Sequence, residues 1–172
     1  MNTIIGSLAA LLYLLSGGLL ALRLARAGSN SSNSINPSKG GALMLGWGAA
    51  LLHAMILAQT VFEPAGLNLG FFNALSFTSG LIGVVLLAAA MVRPVENLGI
   101  LALPFAALTL VLGLWFPAER IVVGAGCWPL ELHIFIAILA YSLLTLAAAQ
   151  AALLAIQDHR LRRRLPGGFL RG

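Results

Sequence analysis

Long apolar stretches interrupted by isolated charges set the rhythm of this chain. The charged residues fall at 23, 26, 39, 63, 93, 96, 119, 120, 131, 158, 160, 162, 163, 164 and 171. They leave five charge-free runs, 1–22, 40–62, 64–92, 97–118 and 132–157, of 22, 23, 29, 22 and 26 residues. A hydrocarbon core of ~30 Å needs about 20 helical residues at ~1.5 Å rise each. Each run can therefore cross once, and none can cross twice. The gap 121–130 holds only ten residues and cannot cross. In lipid every backbone N–H and C=O must be bonded within the protein, so the runs are predicted as helices; a barrel would show short alternating segments instead. The chain is predicted to be all-α, a polytopic bundle of five transmembrane helices over about 3–22, 41–61, 69–92, 97–116 and 130–157, forming one integral membrane domain across 1–172.

Composition sharpens this. Of 172 residues, 60% are hydrophobic and 9% charged, against about 25% charged in a soluble domain. So little charge cannot cover that much apolar surface in water. One cysteine, Cys127, excludes a disulfide scaffold and any metal-binding Cys pair.

The net charge of +5 takes its meaning from position. Arg23, Arg26, Lys39, Arg93, Arg160, Arg162, Arg163, Arg164 and Arg171 fall on one side of an alternating topology, and only Arg120 falls on the other. Nine against one predicts an outside N-terminus and a cytoplasmic C-terminus, and no nucleic-acid partner. Arg160 to Arg164 can also attract anionic lipid. Ala25-Arg26-Ala27 has the form of a cleavage site, but a signal peptide begins with positives and has a shorter apolar core. The Asn30-Ser31-Ser32 sequon falls on the cytoplasmic side, within a Ser/Asn-rich stretch that reads as a connector. Pro104 falls inside the fourth span and is expected to kink it.

Polar side chains within the spans are costly and should face the bundle interior or a cavity. In the second span His53 shares a stripe with Gly46, Ala49, Ala50 and Thr60. In the third, Asn73, Ser76, Gly80 and Gly83 fall together; in the fifth, His133 aligns with Ala137, Ala140, Tyr141, Leu144, Ala148 and Ala151. Close helix packing is sufficient to explain the small residues. Apart from Tyr141 and Gln150, most polar residues of the spans fall in the outer half, together with Gln59, Thr60, Asn68 and Glu131 near the surface. This bias points to a site opening outward.

His53 and His133 are the sharpest chemical feature. Imidazole is neutral near pH 7 and its nitrogen can bind haem iron or zinc; alternatively each ring bonds to a neighbouring helix. On straight helices their depths differ by roughly 8 Å, so joint ligation of one iron needs tilt or a kink. His159 lies in the basic tail. Trp128, Trp115, Phe116, Phe71 and Phe72 form an aromatic belt at outer span ends. No phosphate-binding loop, nucleophile elbow, zinc-protease or dinucleotide pattern is present in the sequence, so no catalytic residue is assigned.

The fifth span reads Leu132-His133-Ile134, then Ala140-Tyr141-Ser142, the alanines of 147–152, Leu153-Leu154, Asp158 and Leu161-Arg162-Arg163. With Leu51-Leu52-His53-Ala54 and Phe72-Asn73-Ala74-Leu75-Ser76, this resembles the cytochrome c assembly superfamily, nearest its HemX-like and YpjD-like inner-membrane branch, from about residue 41 onward. The resemblance implies a multi-pass protein of the bacterial inner membrane that binds haem b non-covalently at the extracytoplasmic face and assists cytochrome assembly without catalysis. His53 and His133 would be the axial ligands. The tryptophan-rich haem-handling motif of the CcsA and CcmC relatives is absent; Trp47, Trp115 and Trp128 are scattered. Such proteins carry about three more helices, so this chain is expected to be a shortened member completed by a second copy or another assembly protein. A transporter subunit, a ligand-free membrane scaffold and a redox subunit are the rival readings.

Overall fold

The computed structural model describes residues 2–27, 38–93, 95–117, 120–124 and 126–164. The connector over 28–37 with its sequon, Glu119, and everything after Arg164 lie outside the described residues.

Five helices are long and apolar enough to cross a membrane. They are α1 (Asn2–Ala27), α2 (Lys39–Thr60), α3 (Phe71–Val92), α4 (Glu96–Trp115) and α5 (Trp128–Arg164). α2 starts where Ser38 offers its Oγ to the Gly41 N–H at 3.1 Å, a side-chain cap for an otherwise orphan donor. α1 to α4 form a closed ring in which each helix packs on two neighbours, α1 on α2 and α4, and α3 on the same two. Small residues permit the close approaches: a Cβ on Gly17 would lie 3.2 Å from Pro104 Cδ, so α1 has room for the proline inside α4. The apolar core of the ring is built from Tyr13, Leu20, Ala49, Ala50, Leu87, Leu103, Ala106 and their neighbours.

α5 stands outside this ring and packs on α3 alone among the helices that share extensive contact. Its membrane-length stretch is 6% buried, against 39–44% for the other four. The side that meets α3 carries Ile134 and Ser142; Phe77 and Phe135 meet with ring centroids 6.0 Å apart. Ser142 is fully buried, and its Oγ bonds Ile138 O at 2.8 Å. This corrects the sequence reading of α5. Of the stripe His133, Ala137, Ala140, Tyr141, Leu144, Ala148 and Ala151, all but the half-buried Ala137 are exposed. The helix is apolar on all sides, so small-residue spacing alone could not say which side is covered.

A second correction concerns the loops at one end of the bundle, expected to hold no strands. Phe62–Glu63, Gly66–Asn68 and Ile121–Gly124 form β1, β2 and β3 of a small antiparallel sheet in the order β1-β2-β3. Strands of two to four residues are too short to show a period-two pattern. Asn68 fixes the sheet. Its Oδ1 accepts from Gly70 N at 3.3 Å and Arg120 N at 3.1 Å, and its Nδ2 donates to Glu63 Oε1 at 2.8 Å. Gly66 (φ +132°) takes the left-handed backbone region at the β1–β2 turn, which favours glycine. The sheet covers the end that the charge distribution predicts to be outside.

Candidate functional site

His53 is enclosed by the ring, with 1% of its surface exposed. Its Nε2 lies 2.9 Å from Ser76 Oγ on α3, and its Nδ1 lies 3.4 Å from the Tyr13 hydroxyl on α1. Tyr13 meets the imidazole edge to face, centroids 5.9 Å apart. A neutral imidazole has one donor and one acceptor nitrogen, and both hydroxyls can play either part, so either tautomer is satisfied. Gly80 makes the space: a Cβ there would lie 3.0 Å from His53 Cε1.

Further polar contacts tie the same helices. Ser16 Oγ donates to Ala42 O at 2.7 Å, joining α1 to α2. The Ser79 and Thr109 hydroxyls bond each other, joining α3 to α4. Among the described residues no buried side-chain nitrogen or oxygen lacks a partner. The sequence reading singled out His53, Asn73 and Ser76 but missed Tyr13, Ser16, Ser79 and Thr109. Tyr13 and Ser16 lie three residues apart on the small-residue side of α1 with Ala9, Ala10, Gly17 and Leu20, a spacing that could have marked them.

Toward the sheet end, a void of about 10 Å³ borders Ser76, Asn73 and Thr60, enough for roughly one water. Asn73 Nδ2 reaches Thr60 O at 3.5 Å.

His133 stands in a different setting. It lies five residues into α5, about 7.5 Å from the helix start, and is exposed. Among the described residues its side chain has no hydrogen bond or ion pair. The structure does not bring the two histidines together: one ring is shut inside α1–α4, and the other is on the helix outside. His159 is exposed near the other end of α5, and Cys127 is a free, exposed thiol beside Trp128. No group of three or more potential metal-ligating side chains occurs among the described residues.

A larger recess of about 250 Å³ lies under the sheet, between α3 and the start of α5, walled by Val61, Phe62, Leu67, Phe77 and Phe135 with Glu131 at its edge.

The chain matches no family model, no curated protein and no solved structure. Haem implied by the resemblance can be tested on the residues themselves. A cofactor pocket spans ~300–1,000 Å³, whereas the void beside Ser76 is about 10 Å³ and both His53 nitrogens are engaged. One iron held by both histidines does not fit this arrangement. His133, exposed and unengaged, is free to ligate.

Proposed function

We propose that this protein handles haem b at the extracytoplasmic face of a bacterial inner membrane, as a non-catalytic helper of cytochrome c assembly. The proposal takes its chemistry from the resemblance of the fifth span. The observation that carries it is His133: an exposed imidazole without a partner among the described residues, on the helix bearing that resemblance, close to the sheet end. Five helices of membrane length support a multi-pass protein, and the nine-to-one division of basic residues supports an outside position for the sheet end.

In this reading His133 is the ligand presented at once. His53 becomes a ligand only when it leaves Ser76 and the ring opens. The second position at His133 is filled by another assembly protein or a second copy laid against the exposed side of α5. The chain's own residues orient and hold: Tyr13 fixes one face of the His53 ring, while α3 seats α5 at a set height through Phe77, Phe135 and Ser142.

The satisfied state of His53 favours a second reading, a ligand-free scaffold in which that ring serves only to join α1, α2 and α3. Adding haem to detergent-purified protein separates the two. The haem reading predicts a Soret band that the His53→Ala/His133→Ala double variant loses. No band, or one unchanged in the double variant, leaves the scaffold.

A further inference from the structure

Neither histidine lines the recess under the sheet, although its wall includes Leu132 and Ile134 on either side of His133. At about 250 Å³ it is smaller than a typical cofactor pocket of ~300–1,000 Å³. Its walls are aliphatic and aromatic apart from Glu131, so they offer little to a polar solute. The Phe62 and Phe77 rings meet edge to face, 6.4 Å apart at their centroids, and Phe77 continues to Phe135. Trp128, Leu132 and Phe135 line it from α5. All three are exposed on a membrane-length helix, so in a bilayer crossed by α5 the recess would open toward hydrocarbon.

Its other side is polar. A second hollow of about 430 Å³ adjoins it and shares Phe62, Leu67 and Glu131. An apolar slot thus adjoins an acidic mouth near the start of α5. Two carboxylates border that mouth. Glu63 is engaged by Asn68 at 2.8 Å, whereas the Glu131 carboxylate has no hydrogen bond or ion pair among the described residues, the residue's backbone N–H donating to Cys127 O at 3.2 Å.

We propose that this recess holds an acyl chain of a phosphatidylethanolamine molecule, with the lipid's ammonium group against the Glu131 carboxylate. A primary ammonium brings a positive charge and three N–H donors to a carboxylate with no partner among the described residues. The trimethylated ammonium of phosphatidylcholine brings the charge without donors. Phosphatidylglycerol brings hydroxyl donors but no positive charge, and leaves its phosphate uncompensated beside the carboxylate. The assignment to the outer leaflet rests on the orientation in the proposed function; the lipid contact itself is independent of haem.

Trp128 lines the recess and reports on it. The full chain carrying Trp47→Phe and Trp115→Phe is placed in phosphatidylcholine nanodiscs with a small, equal fraction of acyl-brominated phosphatidylethanolamine or phosphatidylglycerol. Bromine quenches the indole only on contact. The ethanolamine lipid should be preferred about fivefold, the scale of one charge contact at a membrane surface. Glu131→Gln should bring the two lipids to parity, and Glu63→Gln should leave the preference standing. Free phosphoethanolamine should not relieve the quenching; relief would show that the headgroup alone binds and would overturn the acyl-chain assignment. Equal quenching by both lipids, or a preference that survives Glu131→Gln, would also overturn it. Native mass spectrometry of wild type and Glu131→Gln tests the same point without the tryptophan changes. Wild type should retain one ethanolamine lipid that the variant loses, and a bound basic peptide or second copy in its place refutes the proposal. Loss of haem binding alone would leave these results unchanged.

Discussion

Replacing Ser76 by Ala removes the hydroxyl 2.9 Å from His53 Nε2 and puts nothing in its place. Both residues are buried, at 3% and 1% exposure, so bulk water cannot replace the bond. A buried polar group stripped of its partner costs about 1–3 kcal/mol. Hydrogen bonds between membrane helices average about 0.6 kcal/mol and reach about 1.7. The two ranges together place Ser76→Ala at about 1–1.7 kcal/mol of lost stability. Tyr13→Phe should cost less, since its 3.4 Å contact is long for a hydrogen bond. The more telling variant is His53→Leu/Ser76→Ala. With the imidazole gone, loss of the Ser76 hydroxyl orphans nothing, so the two substitutions should couple by at least about 0.6 kcal/mol. Reversible unfolding of these variants and of His53→Leu alone in mixed micelles, read by circular dichroism, gives the single losses and the coupling. If Ser76→Ala lies within about 0.3 kcal/mol of wild type and the cycle shows no coupling, His53 is not held as described and the argument is wrong.

Other consequences follow from the same geometry. Gly80→Ala should destabilise the protein by pushing a methyl onto the imidazole, 3.0 Å from Cε1. By contrast, Gly18→Ala has nothing within 4 Å and should gain about 0.5–1 kcal/mol from helix propensity, both read in the same unfolding assay. Asn68→Ala should loosen the sheet without melting the helices; hydrogen exchange should speed up at the Gly70 and Arg120 amides and stay slow within α2 and α3. Fusions of green fluorescent protein and alkaline phosphatase after residue 164 should give fluorescence and no phosphatase activity; the reverse would invert the orientation.

The spans were legible because charge is so scarce. Where 132–157 carries none, length and apolarity predict a crossing helix, and α5, a helix long and apolar enough to cross, forms there. The faces of α2 and α3 were legible too, because His53, Asn73 and Ser76 need burial among small residues, and all three are buried. α5 defeated the same reasoning. Its alanines, His133 and Tyr141 form a stripe as regular as that of α2, but an apolar helix can turn any side to lipid. What seats it is Phe77 against Phe135 and the buried Ser142, contacts whose partners are distant in sequence. The sheet was invisible for a related reason: β2 is tied to β3 through Asn68 and the Arg120 amide, 52 positions apart, and no local pattern announces that bond. The partners of His53 show the limit of spacing arguments: its depth and face could be inferred from α2, but Tyr13 comes from a helix 40 residues earlier.

Haem titrated into detergent-purified wild type, His53→Ala and His133→Ala, followed at the Soret band, tests the central claim most directly. The account predicts that His133→Ala abolishes the band at low haem concentration, while His53→Ala keeps it. A band that needs His53 and ignores His133, or no band in wild type, would contradict the account.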